Sequence, residues 1–311
     1  MRPLLIILAL LLSFSAYADK PQWTYAFFTV NGSTDEICKA AQSVKNGRVI
    51  VYADTATECG SGKISAKISG MKDFFSYVRK NCDSWSYAYV ISSDTPLNPD
   101  KLSGAFAANR ADLLVLDAPY SGSLESLWTV RRSANNIAAV STSAPSKRIY
   151  APFLQKAGAA GKSPAGMAAD FVDAYRDAYG TSGEKLSVFA MNPGEEFESF
   201  VHLFNSRTSC FPKVIERFDK VMADKNSGDS LGGTNADFLH GLEIVSKPVM
   251  VKAKRLIISS FSVNSEFTGP SFFLPADSAI YEKNRKRYLS TQFARDCPGW
   301  PEFLDILYKH K

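Results

Sequence analysis

Short apolar runs alternate with amphipathic stretches over the first half of the chain. The apolar runs are rich in aromatic and β-branched residues, which is typical of strands. They span 23–30, 48–53, 87–91, 113–116 and 137–140. The stretches between them have apolar residues at helical spacing, and they span 34–44, 71–80, 99–108 and 123–134. Because strands that are apolar throughout need cover on both faces, this pattern predicts an α/β fold with a mainly parallel sheet flanked by helices.

The second half of the chain is richer in helical patterns. Predicted helices span 163–179, 194–205, 236–245, 248–261, 281–293 and 301–308, and 271–275 is predicted as an edge strand. We therefore expect one domain, 19–311, with a sheet core over 19–150 and a more helical C-terminal part over 151–311.

The first 18 residues have the pattern of a secretory signal peptide. Arg2 gives a positive start, an apolar run covers Leu4 to Leu12, and Ala16-Tyr17-Ala18 supplies small residues at the positions that a signal peptidase requires. The run is too short for a membrane anchor. We expect cleavage after Ala18 and a periplasmic or secreted protein with no membrane anchor.

The charge balance is mild, at +5 for the whole chain and about +4 once Arg2 is removed. The only dense basic cluster, Lys283 to Arg287, has no aromatic residue among its charges. Because nucleic-acid sites commonly combine cations with stacking rings, we expect no nucleic-acid partner. No cofactor motif is present either, since Gly161-Lys162-Ser163 lacks the context of a phosphate-binding loop.

Five cysteines follow the signal segment, namely Cys38, Cys59, Cys82, Cys210 and Cys297. In an oxidising compartment cysteines pair by default, and the odd count leaves at least one thiol over. We favour Cys210 with Cys297, since both lie in the C-terminal half. The cysteine spacings do not match a zinc site, and all three histidines lie at or after His202, so no metal site is expected.

Loops at the carboxyl ends of parallel strands are the expected place for function. Here those loops are 31–35, 54–62, 92–96 and 117–122. Several segments in and around them resemble, in order and spacing, the clostripain-like family (peptidase family C11), which has a caspase-type fold. The resemblance covers nearly all of 23–308, and it is carried by Trp23-Thr24-Tyr25 with Asn31-Gly32, Val49–Asp54, Phe74–Cys82 with Tyr87–Ile91, Leu113–Glu125, Phe261–Pro275 and Trp300–Leu304.

That resemblance implies a catalytic cysteine and histidine at neighbouring strand ends. The cysteine position is occupied by Pro119, within Asp117-Ala118-Pro119, and the histidine position falls at Ser93 or Asp94. Proline has neither a nucleophile nor a backbone N–H. We therefore expect an inactive peptidase homologue that acts as a binding or regulatory module.

Asp117 is retained, and the family's equivalent aspartate helps to form a pocket that prefers arginine or lysine. The resemblance therefore implies that Asp117 binds a basic side chain, with a basic peptide or protein as partner. The alternative is that Asp117 caps its own loop through backbone amides.

Two other classes of function remain open. One is an active endopeptidase with arginine or lysine preference and a relocated nucleophile. Ser121 is one candidate, although a serine needs an activating base, and otherwise it is a turn residue that caps the following helix. Cys59 is the other, although export favours a disulfide role for it. The remaining class is a structural or surface-associated protein.

Overall fold

The computed structural model describes residues 22–29, 34–53, 55–142, 149–159, 161–208, 235–237, 247–263, 269–275 and 277–309. Its strands are β1 (Trp23–Thr29), β2 (Gly47–Tyr52), β3 (Ala56–Glu58), β4 (Gly62–Lys63), β5 (Ser86–Ser92), β6 (Ala111–Asp117), β7 (Ala134–Val140), β8 (Leu186–Met191), β9 (Asn235–Asp237), β10 (Ile257–Val263) and β11 (Ser271–Phe273). Its helices are α1 (Thr34–Ala41), α2 (Met71–Asn81), α3 (Pro99–Phe106), α4 (Leu124–Val130), α5 (Tyr150–Ala157), α6 (Pro164–Tyr179), α7 (Glu195–Thr208), α8 (Lys247–Leu256), α9 (Ser278–Leu289), α10 (Gln292–Asp296) and α11 (Gly299–Lys309).

Nine strands form one sheet in the order β10-β8-β7-β6-β5-β1-β2-β3-β4. The central five, from β7 to β2, run parallel. Strands β8 and β10 extend one side in antiparallel fashion, and the short hairpin β3–β4 extends the other. The predicted α/β class with a mainly parallel sheet is therefore confirmed. A separate antiparallel pair joins β9 and β11.

The sheet separates two apolar layers, because successive strand residues point to opposite faces. On one face Phe75 of α2, Leu102 of α3 and Leu127 of α4 join the core. On the other face lie Ile37 of α1, Phe153 of α5 and Phe171 of α6. At the carboxyl edge of the parallel strands the chain turns from β6 into α4.

Helix boundaries follow local capping chemistry. The Asn98 side chain accepts hydrogen bonds from the amides of Asp100 and Lys101, and Pro99 occupies the first turn of α3. The Ser163 hydroxyl caps α6 in the same way, ahead of Pro164. Such signals are local, which explains why the sequence pattern locates these helix starts well.

The C-terminal part differs most from the sequence prediction. The predicted helix over 248–261 is correct only as far as Leu256, because Ile257–Val263 forms the edge strand β10 beside β8. The predicted helix over 236–245 begins instead with the strand Asn235–Asp237, and the rest of it lies outside the described residues. Strand β8, whose six residues are all buried, was not predicted. A short apolar run cannot be told from a buried helix by periodicity alone.

The cysteines pair differently from the expectation. The disulfide joins Cys38 to Cys59, while Cys297 is a buried free thiol, so the favoured pairing of Cys210 with Cys297 is wrong. Burial raises the pKa of Cys297 to about 12, which keeps this thiol protonated at neutral pH.

The expected signal peptide, 1–18, lies outside the described residues. Within the described ranges, none of the helices combines the length and the apolar character that crossing a bilayer requires.

Candidate functional site

The ends of β5 and β6 lie side by side at the carboxyl edge of the sheet. Ser92 pairs with Asp117 across these parallel strands. One residue further, the Ser93 amide donates to the Asp117 carbonyl at 3.2 Å. The two strand ends expected to hold a histidine and a cysteine are therefore neighbours, as a nucleophile–base pair requires.

Main-chain carbonyls, two of them outside the turn, accept from the amides of the turn after β6. Pro119 is buried and offers no N–H. The amide of Tyr120 donates to Thr142 O at 2.8 Å, and that of Gly122 donates to Val140 O at 2.8 Å. Within the turn, the Ser121 and Ser123 amides donate to carbonyls of residues 118 and 120. Each amide from 120 to 123 is thus engaged by a main-chain carbonyl.

Ser121 is 3 % exposed, and its hydroxyl donates to the Leu116 carbonyl at 2.6 Å. A second carbonyl, Val140 O, lies 3.4 Å from the same oxygen. A nucleophilic serine instead needs an exposed oxygen that donates to a base. The helix cap that we expected from Ser121 belongs to Ser123, whose hydroxyl accepts from the Ser126 amide at 3.2 Å.

Ser93 and Asp94 follow β5 with different exposures. Ser93 is 4 % exposed, and its hydroxyl oxygen accepts from the Thr95 amide at 3.1 Å, so the side chain closes a local turn. Asp94 is exposed on that turn. Neither side chain has the ring nitrogens that a histidine would supply for proton transfer.

Asp117 is fully buried on the face of the sheet covered by α5 and α6. Its two carboxylate oxygens accept from Tyr150 at 2.7 Å and from Tyr175 at 2.6 Å. The Asp117 side chain has no exposed surface in this arrangement. Binding of a basic side chain by Asp117 and capping of its own loop both stay predictions.

Cys59 lies at the other end of the sheet, contrary to our expectation of a functional strand end. The hairpin reverses the chain, so the Cys59 amide donates to Val49 O, and Val49 is level with Leu113 through the parallel strands. Across the sheet, Cys59 is about four strand spacings of ~4.8 Å from β6. Along the strands, its level is four residues of ~3.3 Å before Asp117. Cys59 is also bonded to Cys38. It is therefore neither near the turn nor a free thiol.

The sequence prediction missed the residues that enclose the turn. Tyr150 begins α5, and Tyr175 lies on the apolar side of α6, where its pattern is that of any core aromatic. The segment 269–275 crosses the same turn, since the Ser271 amide donates to Gly122 O at 3.1 Å and the Ser141 hydroxyl donates to Gly269 O at 2.7 Å. Together with the bonds of Tyr150 and Tyr175 to Asp117, these contacts span 33 to 149 residues of sequence, so no local signal predicts them.

Among the described residues, no group of three or more histidine, cysteine, aspartate or glutamate side chains is placed to hold a metal ion. His202 lies on α7 with its ring edge-on to Trp128, at 5.8 Å between centroids. His240 and His310 lie outside the described residues.

The mainly parallel sheet with helices on both faces is the arrangement of the caspase-like cysteine peptidases. A sequence model of the clostripain family, peptidase family C11, matches residues 92–305, which is more than two thirds of the chain. The chain therefore belongs to the clostripain family. No curated protein sequence matches it.

Solved structures support the same fold. An inactive zymogen C11 protease from Parabacteroides distasonis superposes with a TM-score of 0.71 at 13 % identity, covering 89 % of this chain and 98 % of that one. A secreted C11 cysteine protease from Bacteroides thetaiotaomicron, in complex with an irreversible peptide inhibitor, gives 0.63 at 12 % identity, covering 88 % and 98 %. A cysteine protease from B. fragilis gives 0.51 at 16 % identity, covering 70 % and 98 %. At these identities the likeness concerns the fold alone.

Proposed function

We propose that this chain is an exported, non-catalytic member of the clostripain family that acts by binding a partner. The observation that carries the proposal is the state of the turn after β6. Pro119 has no nucleophile, and the four amides that follow it all donate to main-chain carbonyls. Acyl transfer needs a nucleophile together with donors that receive the developing oxyanion. This turn offers neither.

An active peptidase with a relocated nucleophile is less well supported. The Ser121 hydroxyl is buried and bonded to a carbonyl, and the Cys59 sulfur is in a disulfide about 20 Å away across the strands. The two free thiols of the described chain, Cys82 and Cys297, are buried in the core. Burial raises the pKa of each, which disfavours the reactive thiolate.

Export is supported by two independent features. The apolar run ahead of Ala18 has the form of a signal peptide. A disulfide between Cys38 and Cys59 persists in an oxidising compartment, whereas the cytosol keeps thiols reduced.

The test is a search for turnover. The purified mature protein is incubated with fluorogenic arginyl and lysyl peptides, with and without iodoacetamide, beside Ser121→Ala and Cys82→Ser/Cys297→Ser variants. We expect no hydrolysis above that of buffer. Turnover that alkylation abolishes, or that disappears in any of these variants, would overturn the non-catalytic assignment.

A second measurement addresses recognition at Asp117. Because this carboxylate is buried and held by two tyrosine hydroxyls, we expect arginyl peptides to have the same affinity for the native protein and for Asp117→Asn. An affinity that falls at least tenfold in Asp117→Asn, with the thermal midpoint unchanged, would instead assign a basic-residue pocket to this site.

A further inference from the structure

The outer face of helix α9 carries three exposed cations, Lys283, Lys286 and Arg287. Their i, i+3, i+4 spacing places them side by side on a single helix. The opposite face of the helix is buried through Tyr281 and Tyr288. Packing of these two tyrosines therefore fixes the helix with its three cations turned to solvent.

The charge of this outer face is unbalanced. The remaining basic residue of α9, Arg285, is neutralised by Asp305, whose two carboxylate oxygens accept from its guanidinium at 2.7 Å and 2.6 Å. The three cations of the outer face form no ion pair with a carboxylate of the described chain. Glu282 is the only acidic residue of the helix. The outer face therefore keeps an excess of positive charge.

A fourth cation adjoins the end of this face. Arg295 of α10 is exposed and donates to the carbonyl of Ser290, which directly follows α9. The Ser290 hydroxyl in turn donates to the Arg287 carbonyl at 2.6 Å. The other hydrogen bond of the Arg295 guanidinium goes to Gln292 Oε1 at 2.8 Å. Because both acceptors are neutral groups, no carboxylate is bonded to this cation.

Attraction to the negative end of the helix dipole accounts for only part of this arrangement. Lys286 and Arg287 lie in the last turn of α9, where a cation is favourable without any partner. Lys283 lies one turn earlier, and the attraction falls off within the last turn. The dipole also predicts that removal of the cations changes stability, whereas a binding surface predicts that it changes affinity.

We propose that the outer face of α9, with Arg295 at its end, binds an acidic segment of a partner protein in which glutamate or aspartate residues are consecutive. Four residues of helix rise by about 6 Å, which is the axial distance from Lys283 to Arg287. In an extended segment the side chains on one face recur about every 6.6 Å. Consecutive carboxylates would therefore meet these cations in any register. The proposal extends the proposed function by naming the chemistry of one partner.

Other anionic partners fit this surface less well. Attachment to a bilayer surface commonly uses aromatic or other large apolar side chains beside the cations, and single-stranded nucleic acids commonly stack on aromatic rings. The described chain leaves three large apolar residues exposed, namely Trp85, Val251 and Ile258. None of them lies on α9 or α10. A contact made by charge alone suits an acidic protein segment best.

The β6 turn takes no part in this surface. Tyr288, which contacts Glu125 of α4, lies on the buried side of α9. Turnover in the peptidase assay would overturn the non-catalytic assignment and leave this proposal standing. Failure to bind an acidic segment would leave the peptidase result unchanged, so the two failures are distinguishable.

The test titrates a fluorescein-labelled peptide of consecutive glutamates with the mature protein and follows fluorescence anisotropy, beside a peptide of consecutive lysines. We expect binding of the glutamate peptide alone, weakened as salt rises from about 0.01 M to about 1 M and the Debye length falls from about 30 Å to about 3 Å. Lys283→Gln/Lys286→Gln/Arg287→Gln should weaken binding about tenfold or more, because three modest charge contacts are lost together. Lys283→Arg/Lys286→Arg keeps the charges and should bind like the native protein.

The matched control is Lys39→Gln/Lys72→Gln/Arg110→Gln, which removes two lysines and one arginine from exposed positions elsewhere. This variant should bind like the native protein. Equal weakening in both triple variants would reduce the effect to net charge and overturn the proposal. A lower thermal midpoint with unchanged affinity in the α9 triple variant would assign the cations to the helix dipole instead. Native protein that ignores the glutamate peptide, or that binds oligothymidylate or phosphatidylglycerol vesicles more tightly, would also overturn the proposal.

Discussion

At the turn after β6, one residue other than glycine has an uncommon backbone conformation. Tyr120 has a φ of 57°, in the left-handed region that residues other than glycine seldom adopt. Its amide is held by Thr142 O, and the amide of Gly122 by Val140 O. Replacing Pro119 by cysteine would add a thiol and one backbone N–H, while the amides of Tyr120 and Gly122 would stay engaged by these carbonyls.

Gly122 occupies a position where no side chain fits. A Cβ there would lie 2.5 Å from Phe189 Cε1, 2.9 Å from Ser141 Oγ and 3.1 Å from the Val140 carbonyl oxygen. The ring and the hydroxyl belong to buried residues, and the carbonyl belongs to a central strand. The neighbours therefore have little freedom to move.

We expect Gly122→Ala to lower the free energy of unfolding by about 1–3 kcal/mol, the usual cost of overpacking a core. Gly104→Ala is the matched control, because a Cβ on this exposed residue of α3 meets nothing within 4 Å. That change should be neutral or stabilising by up to about 1 kcal/mol through helix propensity. Urea denaturation of both variants measures the difference. Equal effects would contradict the packing of the turn described above.

The Asp117 carboxylate is buried and hydrogen-bonded at both of its oxygens. Its position at a strand end is the one that the family resemblance implies, yet Tyr150 and Tyr175 donate to both of its oxygens. Hydrogen bonds to a carboxylate are worth about 1.5–3 kcal/mol each. In this structure Asp117 therefore joins the sheet to two helices.

At the scale of elements, one buried carboxylate connects α4 to the C-terminal segments. Glu125 Oε1 accepts from the Phe273 amide of β11 at 3.0 Å and from the Tyr288 hydroxyl of α9 at 3.3 Å. Burial raises the pKa of Glu125 above its ordinary value of 4.5, and these hydrogen bonds offset only part of the increase. The folded protein therefore holds this proton more tightly than the unfolded chain does.

This difference predicts how stability depends on pH. Below about pH 4.5 both states are protonated, and as pH rises further the unfolded chain releases its proton first. The contribution of Glu125 to the free energy of unfolding is thus largest at low pH and falls by up to about 1.4 kcal/mol for each pH unit until the folded group titrates. Glu125→Gln removes this dependence while keeping the shape and an acceptor oxygen.

We therefore expect Glu125→Gln to gain stability relative to the native protein as pH rises from about 4.5 to about 8. Thermal denaturation at several pH values measures the gain. Glu282→Gln, an exposed change on α9, serves as the control and should remain parallel to the native protein. A difference in thermal midpoint between Glu125→Gln and native protein that is the same at all pH values would contradict a raised pKa of Glu125 in the folded protein.

At the scale of the whole molecule, the disulfide fastens the edge of the sheet that has the shortest strands. It joins α1 to the turn between β3 and β4, across 21 residues of sequence. Strands β3 and β4 contribute three and two residues to the sheet. Short edge strands gain little from pairing alone, so we expect the covalent link to contribute to their stability.

Cys38→Ser/Cys59→Ser should lower the free energy of unfolding by about 3 kcal/mol, the loop-closure value for a loop of this length. Adding reductant should lower the thermal midpoint of the native protein and leave that of the double variant unchanged. Cys82 and Cys297 should resist alkylation until unfolding, because both are buried. A reductant effect of equal size in both proteins would contradict a stabilising role for this bond.

The sequence by itself determined the alternation of strands and helices in the first half, the start of capped helices such as α3 and α6, and the absence of a cysteine and a histidine at two strand ends. These are local or positional properties, since periodicity and capping depend on residues a few positions apart. It also implied that β5 and β6 are neighbours, which their register confirms.

Only the tertiary structure decided which groups meet across long separations. The pairing of Cys38 with Cys59, the burial of Asp117 under two tyrosines, the continuation of α8 into an edge strand and the reversal that carries Cys59 to the far end of the sheet all depend on partners that lie distant along the chain. Burial and register are collective properties of the packed sheet. Asp117 is part of the core in this structure because two tyrosine hydroxyls from distant helices bond its carboxylate there.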